Sequence, residues 1–163
     1  EYTGTMRLGQ SSPSYDLETE CTEAVSLEGI TIAQLEAQLK PFTGSITQRP
    51  PAHSAVKVDG KRLYKSARAG IEVEIPTREV EIFAFEITAV ALPEVHFRVH
   101  CSKGTYIRSL VHDYGQALGV GAVLTALCRT AIGDYRLNEA WDLANFVAEK
   151  QAQKQADAGI QGT

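Results

Sequence analysis

The chain has 163 residues, a formal net charge of −4, 44% hydrophobic and 22% charged residues, and three cysteines. That length suits one domain able to bury about two thirds of its unfolded surface; no stretch nears the ~20 apolar residues that cross a bilayer, and no basic-then-apolar signal layout opens the chain. Cys21, Cys101 and Cys128 lie far apart, with no C-x-x-C pair and no His at ligand spacing, so the sequence predicts reduced thiols in the cytoplasm, with no disulfide frame and no metal site.

The chain opens strand-like, from Glu1 to Gly9, without an initiator Met or a leading turn, and on that ground a fragment or processed chain is expected. Ser11-Ser12-Pro13-Ser14 predicts a turn, and Tyr15 to Glu20 a second strand. Thr31 caps a helix over Ile32 to Lys40, with Gln34 at the capping-box position and Pro41 at its end. Pro50-Pro51 is a stiff extended breaker.

A basic excursion follows. From Arg49 to Arg78, seven basic residues stand against three acidic ones, so a net charge of +4 sits on a body whose net charge is −8. Such a patch suits either a solvated face or a polyanion, because screening makes exposed electrostatics short-ranged. His53 to Val58 reads as a short strand, Asp59-Gly60 as a hairpin turn, Lys61 to Ala69 as a helix stopped by Gly70, and Ile71 to Ile75 as another strand ended by Pro76. Flanked by prolines and poor in large apolar groups, residues 50–76 predict a lobe projecting from the core.

Val80, Ile82, Ala84 and Glu86 fall on one face of a long strand, with Glu81, Phe83, Phe85 and Ile87 on the other. Pro93 separates it from Val95 to Cys101, its expected antiparallel neighbour. Ser102-Lys103-Gly104-Thr105 is a tight turn into a helix over Tyr106 to Leu118, with Thr105 as N-cap and Gly119 as the stop. Ala122 to Thr130 is a further strand, Asn138 caps a last helix, and the polar run after Lys150 (151–163) predicts a frayed, disordered tail. Strands and helices without strict βαβ alternation give an α+β domain, spanning residues 1–150 with the lobe inserted.

Arg108 leaves the first turn of the Tyr106 helix beside Lys103 and Tyr106. A cation pair and a phenol at a strand–turn–helix mouth suit a phosphate or a carboxylate. The run Cys101-Ser102-Lys103-Gly104-Thr105-Tyr106-Ile107-Arg108 resembles the TruB family of pseudouridine synthases almost letter for letter. Glu1-Tyr2-x-Gly4 with Arg7-Leu8-Gly9 is similar to that family's Tyr-bearing strand. Pro50-Pro51 through Ser54-Ala55-Val56-Lys57, Gly60-Lys61-Arg62-Leu63-Tyr64 and Ala67-Arg68 resembles its RNA-contacting thumb, and Gly121 to Thr130 the strand after the active-site helix.

The resemblance implies a mainly antiparallel, mixed sheet flanked by helices with a thumb insertion. It also implies isomerisation of uridine-55 in the tRNA T-loop to pseudouridine, with no metal or cofactor. By position it makes Arg108 the partner of a catalytic Asp, Tyr2 the ring that stacks on the flipped base and helps remove the C5 proton, and Leu127 an apolar wall of the pocket. Lys103 and Tyr106 take supporting roles. His53, Lys57, Lys61, Arg62, Lys65 and Arg68 contact the T-arm, positioning the RNA more than reading it. Family members carry the catalytic Asp in a Gly-x-Leu-Asp-Pro loop upstream of the Tyr strand. None of Asp16, Asp59, Asp113, Asp134, Asp142 or Asp157 has that context, and Val123 stands where many relatives have His. The chain alone is therefore expected not to isomerise uridine, and no C-terminal PUA domain is expected after Lys150. The other reading is a noncatalytic tRNA- or RNA-binding module, or pseudoenzyme, of the same ancestry. Partners expected are tRNA and no membrane; bared apolar sheet surface would invite dimerisation, and the oligomeric state stays open.

Overall fold

The structure, a computed structural model, describes residues 1–58, 61–71 and 73–160; the side chains of 57–58, 61–62, 66–68 and 156–160 lie outside that description. The chain divides into two compact units, Glu1–Arg129 and Thr130–Thr163.

The first unit is built on five antiparallel strands: β1 (Tyr2–Leu8), β2 (Gly44–Gln48), β5 (Arg78–Ala91), β6 (Glu94–Cys101) and β7 (Ala122–Arg129), in the order β2-β5-β6-β1-β7. Alternation sets the faces: Met6 and Leu8 of β1 and Val95, Phe97 and Val99 of β6 are at most 1% exposed, while Thr5, His96 and Arg98 point the other way. The long strand β5 is not the simple alternation its sequence predicts. Bulges at Phe83 and Thr88 each add a residue opposite β6. Val80, Ile82, Phe85 and Ile87 therefore all face the core, and Phe83 is turned outward onto His100, ring centroids 4.9 Å apart.

Helix α3 (Ile107–Ala117) lays Ile107, Leu110, Val111 and Tyr114 on the inner face of the sheet. Each fully buried side chain there contributes about 1.5–3 kcal/mol. The Tyr114 hydroxyl donates to the Leu35 carbonyl at 2.7 Å, tying α3 to helix α1 (Ile32–Ala37). Helix α1 has the expected Thr31–Gln34 capping box and ends early, the chain continuing as a short 3-10 turn, Lys40–Phe42. Gly115 is required by close approach: a Cβ there would run into the Ala122 backbone, which folds back directly after α3.

Tyr15 to Glu20 forms no strand; it is a turn-rich loop whose only ladder contact is an isolated bridge from Asp16 to Leu124. The expected lobe carries β3 (Lys57–Val58), β4 (Lys61–Arg62) and α2 (Leu63–Arg68), shorter than predicted. Buried Leu63 anchors it, its N–H on the Val56 carbonyl. The Asp59-Gly60 turn lies outside the described residues. Ile71 and 73–77 carry no strand.

The second unit holds a two-residue hairpin of β8 (Ala131–Ile132) and β9 (Tyr135–Arg136), and helix α4 (Leu143–Ile160). Asn138 sits in a 3-10 turn, and the helix cap is Asp142, whose carboxylate accepts the N–H groups of Ala144 and Asn145. The run expected to be a disordered tail is helical through Ile160, in keeping with its Ala, Gln and Lys content.

Candidate active site

The turn ahead of α3 is built for precision. Gly104 has a φ of 84°, which a side chain would strain. Thr105 is not the N-cap; its hydroxyl donates back to the Ser102 carbonyl, and Tyr106 stands at the cap without a side-chain bond. In place of a local cap, the fully buried Gln48 at the end of β2 clips the Tyr106 peptide, accepting its N–H at 2.9 Å and donating to its carbonyl at 3.1 Å. The Ser109 hydroxyl donates to the Arg49 carbonyl at 2.7 Å. Three bonds thus pin the start of α3 to the base of the lobe.

Arg108 projects from that pinned turn. Its Nη1 donates to the Ser14 carbonyl at 3.1 Å and to Oδ2 of Asp16 at 2.9 Å, and its Nη2 to the His53 carbonyl at 2.8 Å. Among the described residues Nε makes no hydrogen bond, which leaves an edge of the guanidinium able to take a further acceptor. Asp16 is held as firmly: Oδ1 accepts the Glu18 N–H, and the Ser12 and Ser14 hydroxyls both donate to its carbonyl. Asp16 is the residue that sequence reasoning missed. Its signal was the Ser12, Ser14 and Thr19 hydroxyls around it, which mark a hydrogen-bonded turn.

Two clefts open on either side of Arg108. One, of about 330 Å³, is lined by Asp16, Leu17, Arg108 and the β7 residues Leu124 to Leu127. The other, of about 610 Å³, is lined by Glu18, His53, Ser54, Tyr64, Tyr106 and Arg108. Leu127 is 45% exposed at the wall of the first, a large apolar group facing open space beside a cation. It pairs across the ladder with Gly4, and Arg129 with Tyr2, so Tyr2 and Leu127 share the face that carries α3. Tyr2 lies two residues along β1 from Gly4; its hydroxyl accepts from Nε of Arg129 at 3.0 Å, and that guanidinium lies 5.3 Å from its ring centroid.

Tyr106 turns its ring to the Arg78 guanidinium, 5.4 Å away. Lys103 is exposed on the turn and bonds to none of the described residues. His53 reaches the site through its carbonyl, while Lys65 is exposed on α2; the side chains of Lys57, Lys61, Arg62 and Arg68 lie outside the described residues. Behind Asp16, the Tyr15 ring stacks on His112. Burial raises the Tyr15 phenol, with Asp113 adding to the rise and Arg49 opposing it. Burial also lowers His112 and raises Asp113. Among the described residues no cluster of metal-ligating side chains occurs and no helix is long and apolar enough to cross a membrane.

Fold and sequence together place the chain among pseudouridine synthases. A solved Cbf5–Nop10–Gar1 complex matches 85% of this chain with a TM-score of 0.58 and 30% identity, over 31% of that chain. An H/ACA RNP bound to a substrate RNA containing 2'-deoxyuridine gives 0.54 and 25%, over 85% of this chain and 29% of that one. Residues 1–107 match the model of the TruB family pseudouridylate synthase N-terminal domain, and residues 108–161 that of the tRNA pseudouridylate synthase B C-terminal domain. The chain belongs to the TruB family of pseudouridylate synthases. It is 52% identical to tRNA pseudouridine synthase B of Flavobacterium johnsoniae over 90% of its own length and 64% of the relative, and 49% identical to that of Bacteroides fragilis over 90% and 63%. It spans less than two thirds of the length of these relatives.

Proposed function

We propose that the chain supplies most of the active site of a cytoplasmic tRNA pseudouridine synthase acting on uridine-55 of the T-loop. The observation that carries this reading is Arg108, fixed by two backbone carbonyls and Asp16 at the wall of a cleft, with Nε directed to no described acceptor. In this reading the open edge orients a second carboxylate, the one that assists cleavage of the glycosidic bond. Asp16 keeps Arg108 in place.

The target uridine flips out of the loop at a cost of a few kcal/mol. The N1–C1′ bond breaks, the uracil turns, C5 bonds to C1′, the C5 proton leaves and N1 gains a proton. Nothing is oxidised or reduced, so the isomerisation calls for no redox cofactor. Tyr2 stacks on the base and helps remove the C5 proton, and Leu127 walls the pocket. Lys103 and Tyr106 support the mouth. Lys57, Lys61, Arg62, Lys65 and Arg68 hold T-arm phosphates, so binding weakens steeply with salt, and His53 approaches the displaced loop.

A T-arm stem-loop tritiated at uracil C5 tests this. The 163 residues alone bind it in low salt, lose it on Lys61→Glu with Arg62→Glu, and release no tritium at enzymic rates. Tritium release by this chain would mean that Asp16 serves as the catalytic carboxylate, and Asp16→Asn would then abolish it. Release that survives both Asp16→Asn and Arg108→Lys overturns the site.

A further inference from the structure

We propose that Tyr15 and His112 form a stacked positioning couple that registers the Ser14–Asp16 turn against Arg108. The proposal rests on the reading of Arg108 given above. Tyr15 stands between the two acceptors that Nη1 of Arg108 binds, the Ser14 carbonyl and the Asp16 carboxylate. Its φ is 65°, and among the described residues it is the one non-glycine at positive φ. A bulky side chain is strained there, and such strain persists only where the surroundings over-determine the backbone.

Those surroundings are specific. The Tyr15 N–H donates to the Ser12 carbonyl at 3.1 Å, and its carbonyl accepts from the Leu124 N–H of β7 at 3.0 Å. Its ring lies on the His112 imidazole, centroids 3.8 Å apart and planes 16° from parallel. His112 follows Arg108 by four residues on α3, one helical turn away on the same face. One helix therefore carries both the arginine and the ring that clamps the turn presenting the arginine's acceptors. Loop, stack and ion pair close a circuit through two consecutive turns of α3. Burial favours the uncharged imidazole, whose Nδ1 is buried without a partner among the described residues, so it brings no second cation to compete for Asp16. Neither ring lines the cleft beside Leu127; both act through Asp16 and Arg108.

The test reads the Arg108 guanidinium by NMR in the 163-residue chain. Held by three acceptors, it gives separate, slowly rotating Nη signals. Tyr15→Phe and His112→Phe keep the stack and keep those signals. Tyr15→Gly, which also relieves the backbone, and His112→Leu lose the stack and merge them, with Tm within about 4 °C of the parent. Separate signals in His112→Leu, or merged signals in both Phe variants, overturn the proposal; if Tyr15→Gly does not fold, the His112 pair decides, because it leaves the loop sequence intact. Should the tritium assay deny Arg108 a part in catalysis while the signals still follow the stack, the couple stands and only its catalytic use falls.

Discussion

Arg98 and Arg108 lie on the two sides of the sheet and are held in different ways. On the outer face, Arg98 gives Nε and Nη2 to Glu86 and Nη1 to Glu1, every partner a side chain. On the inner side, Arg108 is bound by two backbone carbonyls and one carboxylate. The Arg98 cluster is over-neutralised by two carboxylates; the Arg108 pair is neutral and keeps a donor edge. Side-chain partners in water can drift and are screened, whereas carbonyls move only with the backbone. The difference separates an arginine that ties strands together from one whose donor edge stays open among the described residues.

Five variants bear on that contrast. The largest effect belongs to Arg108→Lys in a polypeptide that also carries the second carboxylate: pseudouridine formation falls by about 10³-fold or more while far-UV dichroism stays unchanged, because an ammonium cannot reproduce the fork. Gln48→Leu comes next. It orphans the Tyr106 N–H in the interior and costs about 2 kcal/mol in urea unfolding, and an unchanged midpoint would show that α3 does not depend on β2.

Smaller is the pH effect. Burial depresses His112, so its contribution to stability is present above its unfolded pKa, about 6.5, and is lost as pH falls below it; His112→Phe flattens that limb in a series of melts. Asp113, raised by burial, acts oppositely: its contribution is present below its unfolded pKa, about 3.9, and is lost as pH rises through the folded value, so Asp113→Asn raises Tm at neutral pH. The smallest effect is that of Arg98→Gln. It leaves turnover unchanged and lowers Tm by an amount that shrinks in high salt, and a loss of turnover would erase the distinction between the two arginines.

Legibility followed the range of the forces. Thr31 with Gln34 spelled out a capping box, and Val95, Phe97 and Val99 a strand face, because each signal spans a few residues. The Phe83 and Thr88 bulges broke the period-two reading of β5: a bulge is an agreement between two strands, and one strand's letters do not carry it. Tyr15, Leu17 and Thr19 alternate with the acidic Asp16, Glu18 and Glu20 and so mimicked a strand, hiding Asp16. Asn138 and Asp142 are both good caps, and only the path of the chain chose between them.

What the amino-acid sequence determined by itself was the α+β class, the family, and the strand–turn–helix corner from which Arg108 projects, since alternation, helical period and turn chemistry act locally. What the tertiary structure alone decided was the company Arg108 keeps. Its acceptors lie 55 to 94 residues away, and such partners meet only after the sheet and α3 have closed, with chain entropy offset by burial throughout the core.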